Sequence, residues 1–240
     1  MAPTITSITV VDFLAASTPY AANDTVGLVD TSANIQSLSA AQISGLSGFN
    51  VDYIDATNNT LSLTVAQYLA LGSVALTAAD NVTLVGTGAD FAVLSPSQIS
   101  AFAAANVDFV DATDNNLIFS AAQFKALGSV VVNATDTVTI TDGTFSITVA
   151  QLQSLGTATF ATGNIVTLAD TNVNLAGQTP AFWLSLAAKG VDFIDSTDGA
   201  LDVTVDQYNA LGSVKLIAGN DVTLFNGSTS IASQTPAWFA

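Results

Sequence analysis

The side chains able to do chemistry in this chain are almost all of one kind. All 19 acidic residues are Asp, the only cations are three Lys, and there is no Glu, Arg, His or Cys. Carboxylates can bind hard cations, move protons in pairs, or accept hydrogen bonds from backbone N–H groups. Their spacing here is regular. One column, recurring at every twenty-eighth position, holds Asp24, Asp52, Asp80, Asp108, Asp136, Asn164, Asp192 and Asn220. A looser column holds Asp30, Asn58, Asp114, Asp142, Asp170, Asp198 and Asn226, with Gly86 at the remaining station. Asp55, Asp111 and Asp195 form a third, sparser set. Two chemistries compete for these columns. Short Asx side chains bond nearby backbone groups at turns, and Asn at two stations of the first column can do that without charge. Stacked carboxylates also repel one another, and a hard cation with oxygen ligands relieves the repulsion. On that reading Asp108, Asp111 and Asp114, together with Asp192, Asp195 and Asp198, are the candidate calcium ligands. Neither stretch is an EF-hand, because no Glu closes the loop, and the glycine-rich calcium nonapeptide is missing. The structural reading leads and calcium stands second.

The same inventory excludes much else. Thiol nucleophiles, disulfides, zinc sites, haem ligation by His or Cys and triads with an imidazole base all need residues that are absent. A formal net charge of -16 repels nucleic acid. A hydrophobic fraction of 50% with 13 Phe excludes a disordered chain. No run approaches the ~18 apolar residues of a spanning helix, so membrane insertion is not expected, and Met1–Val10 does not read as a secretory signal.

The elements that position the columns follow the same ruler. Val26, Ile54, Val82, Val110, Val138, Val166, Ile194 and Val222 keep the same interval and are all β-branched. Nine residues further on stand Ile35, Leu63, Phe91, Phe119, Ile147, Leu175, Val203 and Ile231. A third column holds Ile43, Leu71, Ile99, Leu127, Leu155, Trp183, Leu211 and Phe239. Segments such as Val82-Thr83-Leu84 and Val166-Thr167-Leu168 alternate as half-buried strands do. Thr64-x-x-Gln67, Ser120-x-x-Gln123, Thr148-x-x-Gln151 and Thr204-x-x-Gln207 are capping boxes that predict helix starts. The matching Leu-Gly pairs, at Gly72, Gly128, Gly156 and Gly212, predict their ends. The other four units start this helix three residues later, at Ser39, Ser95, Thr179 and Thr235, three of them followed by Pro. The pattern predicts an α/β repeat solenoid of parallel strands backed by short helices, with about 28 residues per coil and about eight coils. Residues 1–25 read as a degenerate N-terminal capping repeat, and 26–240 as eight repeats, the last cut short. Two early-starting units follow one another between residues 110 and 165, which predicts a local bend or crowding there.

The phrases Val191-Asp192-Phe193-Ile194-Asp195, Thr64-Val65-Ala66-Gln67-Tyr68-Leu69-Ala70-Leu71-Gly72 and Asp80-Asn81-Val82-Thr83-Leu84 resemble repeat regions of very large bacterial surface or secreted proteins. Those proteins are exported by type I secretion and include adhesin-like members of the repeats-in-toxin group. The resemblance implies an extracellular or cell-surface place, scarce Cys and calcium-assisted folding after export. The layout also resembles leucine-rich repeats, in which an Asn ladder bonds backbone groups between coils. The function expected is a non-enzymatic structural or adhesive segment, a rigid spacer or an interaction surface that requires no cofactor. Its partners would be other domains of a larger parent protein and an extracellular or cell-surface polysaccharide or protein. A calcium-binding module that folds on export is the alternative. A carbohydrate-active enzyme using paired Asp is a third reading, set back by the lack of a distinguished pair and of an Arg to clamp an acidic sugar.

Overall fold

The computed structural model describes residues 4–226. The chain forms two compact units, one of residues 1–117 and 126–133, the other of 118–125 and 134–240. Both are mixed α/β assemblies of parallel strands and short helices, as the sequence predicts in outline.

In the first unit the order is β1 (Ile5–Ile8), α1 (Val10–Ala15), β2 (Thr25–Asp30), α2 (Ser32–Gln36), α3 (Ala40–Leu46), β3 (Tyr53–Ala56), β4 (Thr60–Thr64), α4 (Val65–Leu69), β5 (Ala75–Leu76), β6 (Asn81–Gly86), α5 (Gly88–Ala92), α6 (Pro96–Ala104) and β7 (Phe109–Ala112). The division runs through β8 (Asn116–Phe119) and α7 (Ala121–Ala126), and β9 (Val131–Val132) returns to this unit. Two four-stranded sheets result, ordered β1-β2-β3-β5 and β4-β6-β7-β9, with parallel pairing throughout. The second unit continues with β10 (Thr137–Ile140), β11 (Thr144–Ile147), α8 (Val149–Ser154), β12 (Thr159–Phe160), β13 (Ile165–Asp170), α9 (Asn172–Ala176), α10 (Pro180–Ser185), β14 (Phe193–Ser196), β15 (Ala200–Thr204), α11 (Val205–Ala210), β16 (Lys215–Leu216) and β17 (Asp221–Phe225). Here β11-β13-β14-β16 repeats the four-stranded pattern, β10 pairs with β12 and β15 with β17, again in parallel.

The apolar columns make the cores. Ile54, Val82, Val110, Val166 and Ile194 are fully buried, as are Ile35, Leu63, Phe91 and Phe119. Each contributes on the order of 1.5–3 kcal/mol by leaving water. Helices of five to nine residues are marginal alone. They persist because one face is buried and both ends are closed. Thr64, Thr148 and Thr204 form the predicted capping boxes with Gln67, Gln151 and Gln207. Gly72, Gly128, Gly156 and Gly212 take the left-handed conformation (φ about +60°) that ends these helices. Ser39, Ser95 and Thr179 cap the later helices as expected. Thr235, Ile231 and Phe239 lie outside the described residues.

The coil length differs from the expected period. Leu28 lies across from Ile54, Leu84 from Val110 and Leu168 from Ile194, so these circuits close after twenty-six positions. Ile54 lies across from Leu76 and Val110 from Val132, after twenty-two, and Leu61 from Val82, after twenty-one. Val82 and Val110 therefore sit in adjacent strands but two residues out of register, while Ile54 and Val82 belong to different sheets. The cause lies at the second apolar column. In late-starting units this station is helical, with Ile35 in α2, Phe91 in α5 and Leu175 in α9. In early-starting units it is extended, with Leu63 in β4, Ile147 in β11 and Val203 in β15. Two helices need a longer circuit than one. The sequence repeat thus outruns the circuit by two residues in one kind of unit and by six or seven in the other, and equivalent residues drift along the contour until a new sheet begins.

The consecutive early-starting units contain the division between the two units. Within the second unit, Phe124, Phe145 and Phe160 meet there edge to face, with centroid separations of 5.2, 5.2 and 6.4 Å.

Candidate functional site

Within each unit the polar columns form two ladders that tie one turn of chain to the turn before it. In the first, an Asx side chain just ahead of a strand accepts the N–H of a residue 20 to 26 positions earlier. Asp52 Oδ2 accepts Val26 N at 2.7 Å, Asp108 Oδ2 accepts Val82 N at 2.8 Å, and Asp192 Oδ2 accepts Val166 N at 2.9 Å. Asp24, Asp80, Asn164 and Asn220 do the same for Thr4, Ala56, Ile140 and Ser196. Asn164 serves as well as Asp because only an acceptor oxygen is needed, and its amide also donates to Ile140 O.

The second ladder reaches helix N-termini. The first residue of a helix carries an N–H with no partner inside the helix, and a side chain from the following coil accepts it. Asp30 takes Val10 N of α1, Asn58 takes Ser32 N of α2, and Asp114 takes Gly88 N of α5. Asp142 takes Ala121 N of α7, Asp170 takes Val149 N of α8, and Asp198 takes Asn172 N of α9. A carboxylate there also faces the positive end of the peptide dipoles. Burial raises the Asp30 and Asp170 carboxyls, but their combined hydrogen bonds outweigh it and hold both below the ordinary carboxylate range. Asp198 is lowered by Ser196 Oγ and by the N–H of Asn172. At Gly86 the ladder skips a station: a Cβ there would sit 3.1 Å from Val65 Cγ2.

Glutamine adds a third tie that the sequence reading did not foresee. While Gln67 Oε1 closes its own capping box, its Nε2 donates to Gln36 O and Leu38 O at the end of α2. Gln207 bridges Ala176 O and Gln178 O in the same way. Gln151 occupies the same station with the same capping box but follows a one-helix unit and is only half-buried, so the sequence alone carried no signal for this tie.

The six proposed calcium ligands are distributed rather than gathered. Asp108 and Asp114 stand before and after β7, each bonded to a different backbone N–H, with Asp111 between them on the strand. Asp192, Asp195 and Asp198 repeat this around β14. Among the described residues no group of three acidic side chains converges as a metal site would require. The turn chemistry expected of the Asx columns takes a longer-range form, since the acceptors reach a neighbouring coil instead of their own turn.

What remains on the surface is a second repeated arrangement. Ser62, Thr83, Phe109 and Val131 stand in line across β4, β6, β7 and β9, on the outward face. Ser146, Thr167, Phe193 and Lys215 do so across β11, β13, β14 and β16, and Ser7, Gly27, Tyr53 and Ala75 across β1, β2, β3 and β5. The aromatic is half-buried each time and is followed on the same face by Asp111, Asp195 or Asp55. The Tyr53 ring lies over Gly27, where a Cβ would fall 2.2 Å from Cζ. Phe109 also walls a cleft of about 380 Å³ whose lining includes Asn81, Asn106, Asp108 and Ser129 and no basic residue.

No protein-family model matches the chain, and no curated protein or solved structure does either.

Proposed function

We propose that this chain is a non-enzymatic structural or adhesive segment, built to hold a repetitive surface in place at or outside a bacterial cell surface, as part of a larger parent protein. The observation that carries the reading is the assignment of the polar groups. Ten aspartates spread over both ladders accept backbone or cap donors of a neighbouring coil, so the conspicuous carboxylates serve cohesion between coils. A site for turnover would instead set a few unlike groups apart from the repeat. Composition agrees: without Cys the fold is independent of redox conditions, and a charge of -16 keeps it soluble. The finer form of this reading is one elongated solenoid in which successive coils run through both units. Small-angle scattering tests it. A compact globule of this length has a radius of gyration of about 18 Å, and the solenoid requires a clearly larger value with a rod-like cross-section. A globular profile would sink the spacer function.

A further inference from the structure

The three outward rows share a chemistry that the ladders leave unused. Asp111 and Asp195 accept no hydrogen bond and form no ion pair among the described residues, unlike the ladder aspartates, and Asp55 accepts only Thr77 Oγ1 at 3.2 Å. Each sits two residues beyond an aromatic residue on one strand face, so the two Cα atoms are about 7 Å apart. A ring face attracts a cation through its quadrupole, and a carboxylate beside it adds charge. The rows differ at one position. Across from Phe193 stands Lys215, exposed and on the same face, whereas Ala75 stands across from Tyr53 and Val131 across from Phe109. In the second unit the chain brings its own ammonium group to the row; in the first unit both rows lack one.

The geometry points to the Phe109–Asp111 face, and its counterpart Tyr53–Asp55, as a docking surface for the lysine ammonium groups of a partner polypeptide. Charge complementarity favours this occupant. The chain carries 19 carboxylates against three lysines, and the cleft beside Phe109 adds Asp108 and the amides of Asn81 and Asn106 without a cation. An ammonium group offers three donors to such a set of acceptors and a soft contact to the ring. This inference rests on the surface-presenting reading above and names its partner chemistry. Scattering and binding can fail separately, because a rod that binds nothing and a globule that binds lysine are both observable.

The test is a titration of the full chain with Nα-acetyl-lysine amide at physiological salt, followed by backbone amide NMR shifts, with the Nε-acetylated analogue and maltohexaose as comparisons. Expected are saturable shifts confined to residues 53–55 and 109–111, with none from the acetylated analogue. Asp111→Asn should weaken the response at 109–111 at least fivefold and leave 53–55 unchanged, which also reports that the unit is folded. Asp221→Asn, which removes a charge from an exposed position on β17, should change neither. Lys215→Ala should make residues 193–195 respond. The inference is overturned by shifts scattered over all the aspartates, by an equal response to the acetylated analogue, or by a response to maltohexaose alone, which would mark a glycan surface. Silence at 193–195 in Lys215→Ala would overturn the role given to Lys215.

Discussion

Replacing Asp170 tests the second ladder most directly. Its Oδ2 accepts Val149 N, the first N–H of α8, at 2.9 Å, and its Oδ1 accepts Thr171 N and Asn174 Nδ2 at 2.8 and 2.7 Å. Val149 is 5% exposed, so in Asp170→Ala its N–H loses the acceptor with little access to water, a cost of about 1–3 kcal/mol. Thr171 and Asn174 are exposed and recover water, adding roughly 0.5 kcal/mol for the two bonds together. The expected loss is about 1.5–3.5 kcal/mol. Asp170→Asn keeps an acceptor for Val149 N but forfeits the charge at the helix terminus, about 0.3–1 kcal/mol, and, since its NH2 cannot accept, the same two exposed bonds to Thr171 N and Asn174 Nδ2, roughly 0.5 kcal/mol. The pH dependence separates the two contributions. The folded carboxyl lies below its ordinary value because its hydrogen bonds override burial. Its charge-dependent stabilisation is therefore present above the unfolded pKa of about 3.9 and is lost as pH falls through the lower folded value. Urea denaturation followed by circular dichroism at pH 7 and at successive steps below pH 4 should show the wild type approaching Asp170→Asn in acid, with Asp170→Ala below both throughout. An alanine cost under about 0.5 kcal/mol, less than one ordinary hydrogen bond contributes, would refute the ladder as a source of stability. A wild-type advantage over Asn that ignores pH would do the same.

Gly27→Ala forces the half-buried Tyr53 ring to swing aside, because the new methyl would meet its far end, and should cost the first unit about 1 kcal/mol; thermal denaturation of Gly27→Ala in the wild-type and Tyr53→Ala backgrounds checks it, the penalty disappearing in the second. Phe160→Ala removes one of three interlocked rings at a site 4% exposed and should cost about 3–5 kcal/mol in the second unit, measured by the same urea titration. Since Asp108, Asp114, Asp192 and Asp198 already bind backbone N–H groups, melting temperatures in millimolar calcium and in chelator should agree within about 2 °C; a rise of about 5 °C would correspond to roughly 1 kcal/mol of ion binding and return calcium to those residues.

The apolar columns were legible because burial is a local demand: Val82 or Ile99 must be apolar whichever coil lies above it. Helix starts such as Thr64-x-x-Gln67 and ends such as Gly72 were legible for the same reason, since a cap acts within four residues. The first helix of each two-helix unit went unforeseen, although Thr87-x-x-Asp90 forms a capping box with Asp in place of Gln. Leu63 and Ile35 show why the coil length was misjudged. One apolar residue at one station suits a strand or a helix, and only the strand it must pair with decides which. The acceptor column was visible in Asp30, Asn58 and Asp114, but their donors Val10, Ser32 and Gly88 belong to the preceding coil, and no local pattern names them. Asp111 stood in the sparse Asp set and Phe109 in no column at all; their shared face appeared only once Thr83 and Val131 were placed beside them.

In the two Asx ladders the accepting oxygen belongs to the later turn of chain and the backbone N–H to the earlier one, which gives these ties a direction. Deleting coils from the amino end strands carboxylates, which water hydrates readily. Deleting from the carboxyl end strands amide hydrogens at helix starts, some of them away from water. A chain emerging from the ribosome meets the second situation at every step, its newest turn unfinished until the next one arrives and locks it.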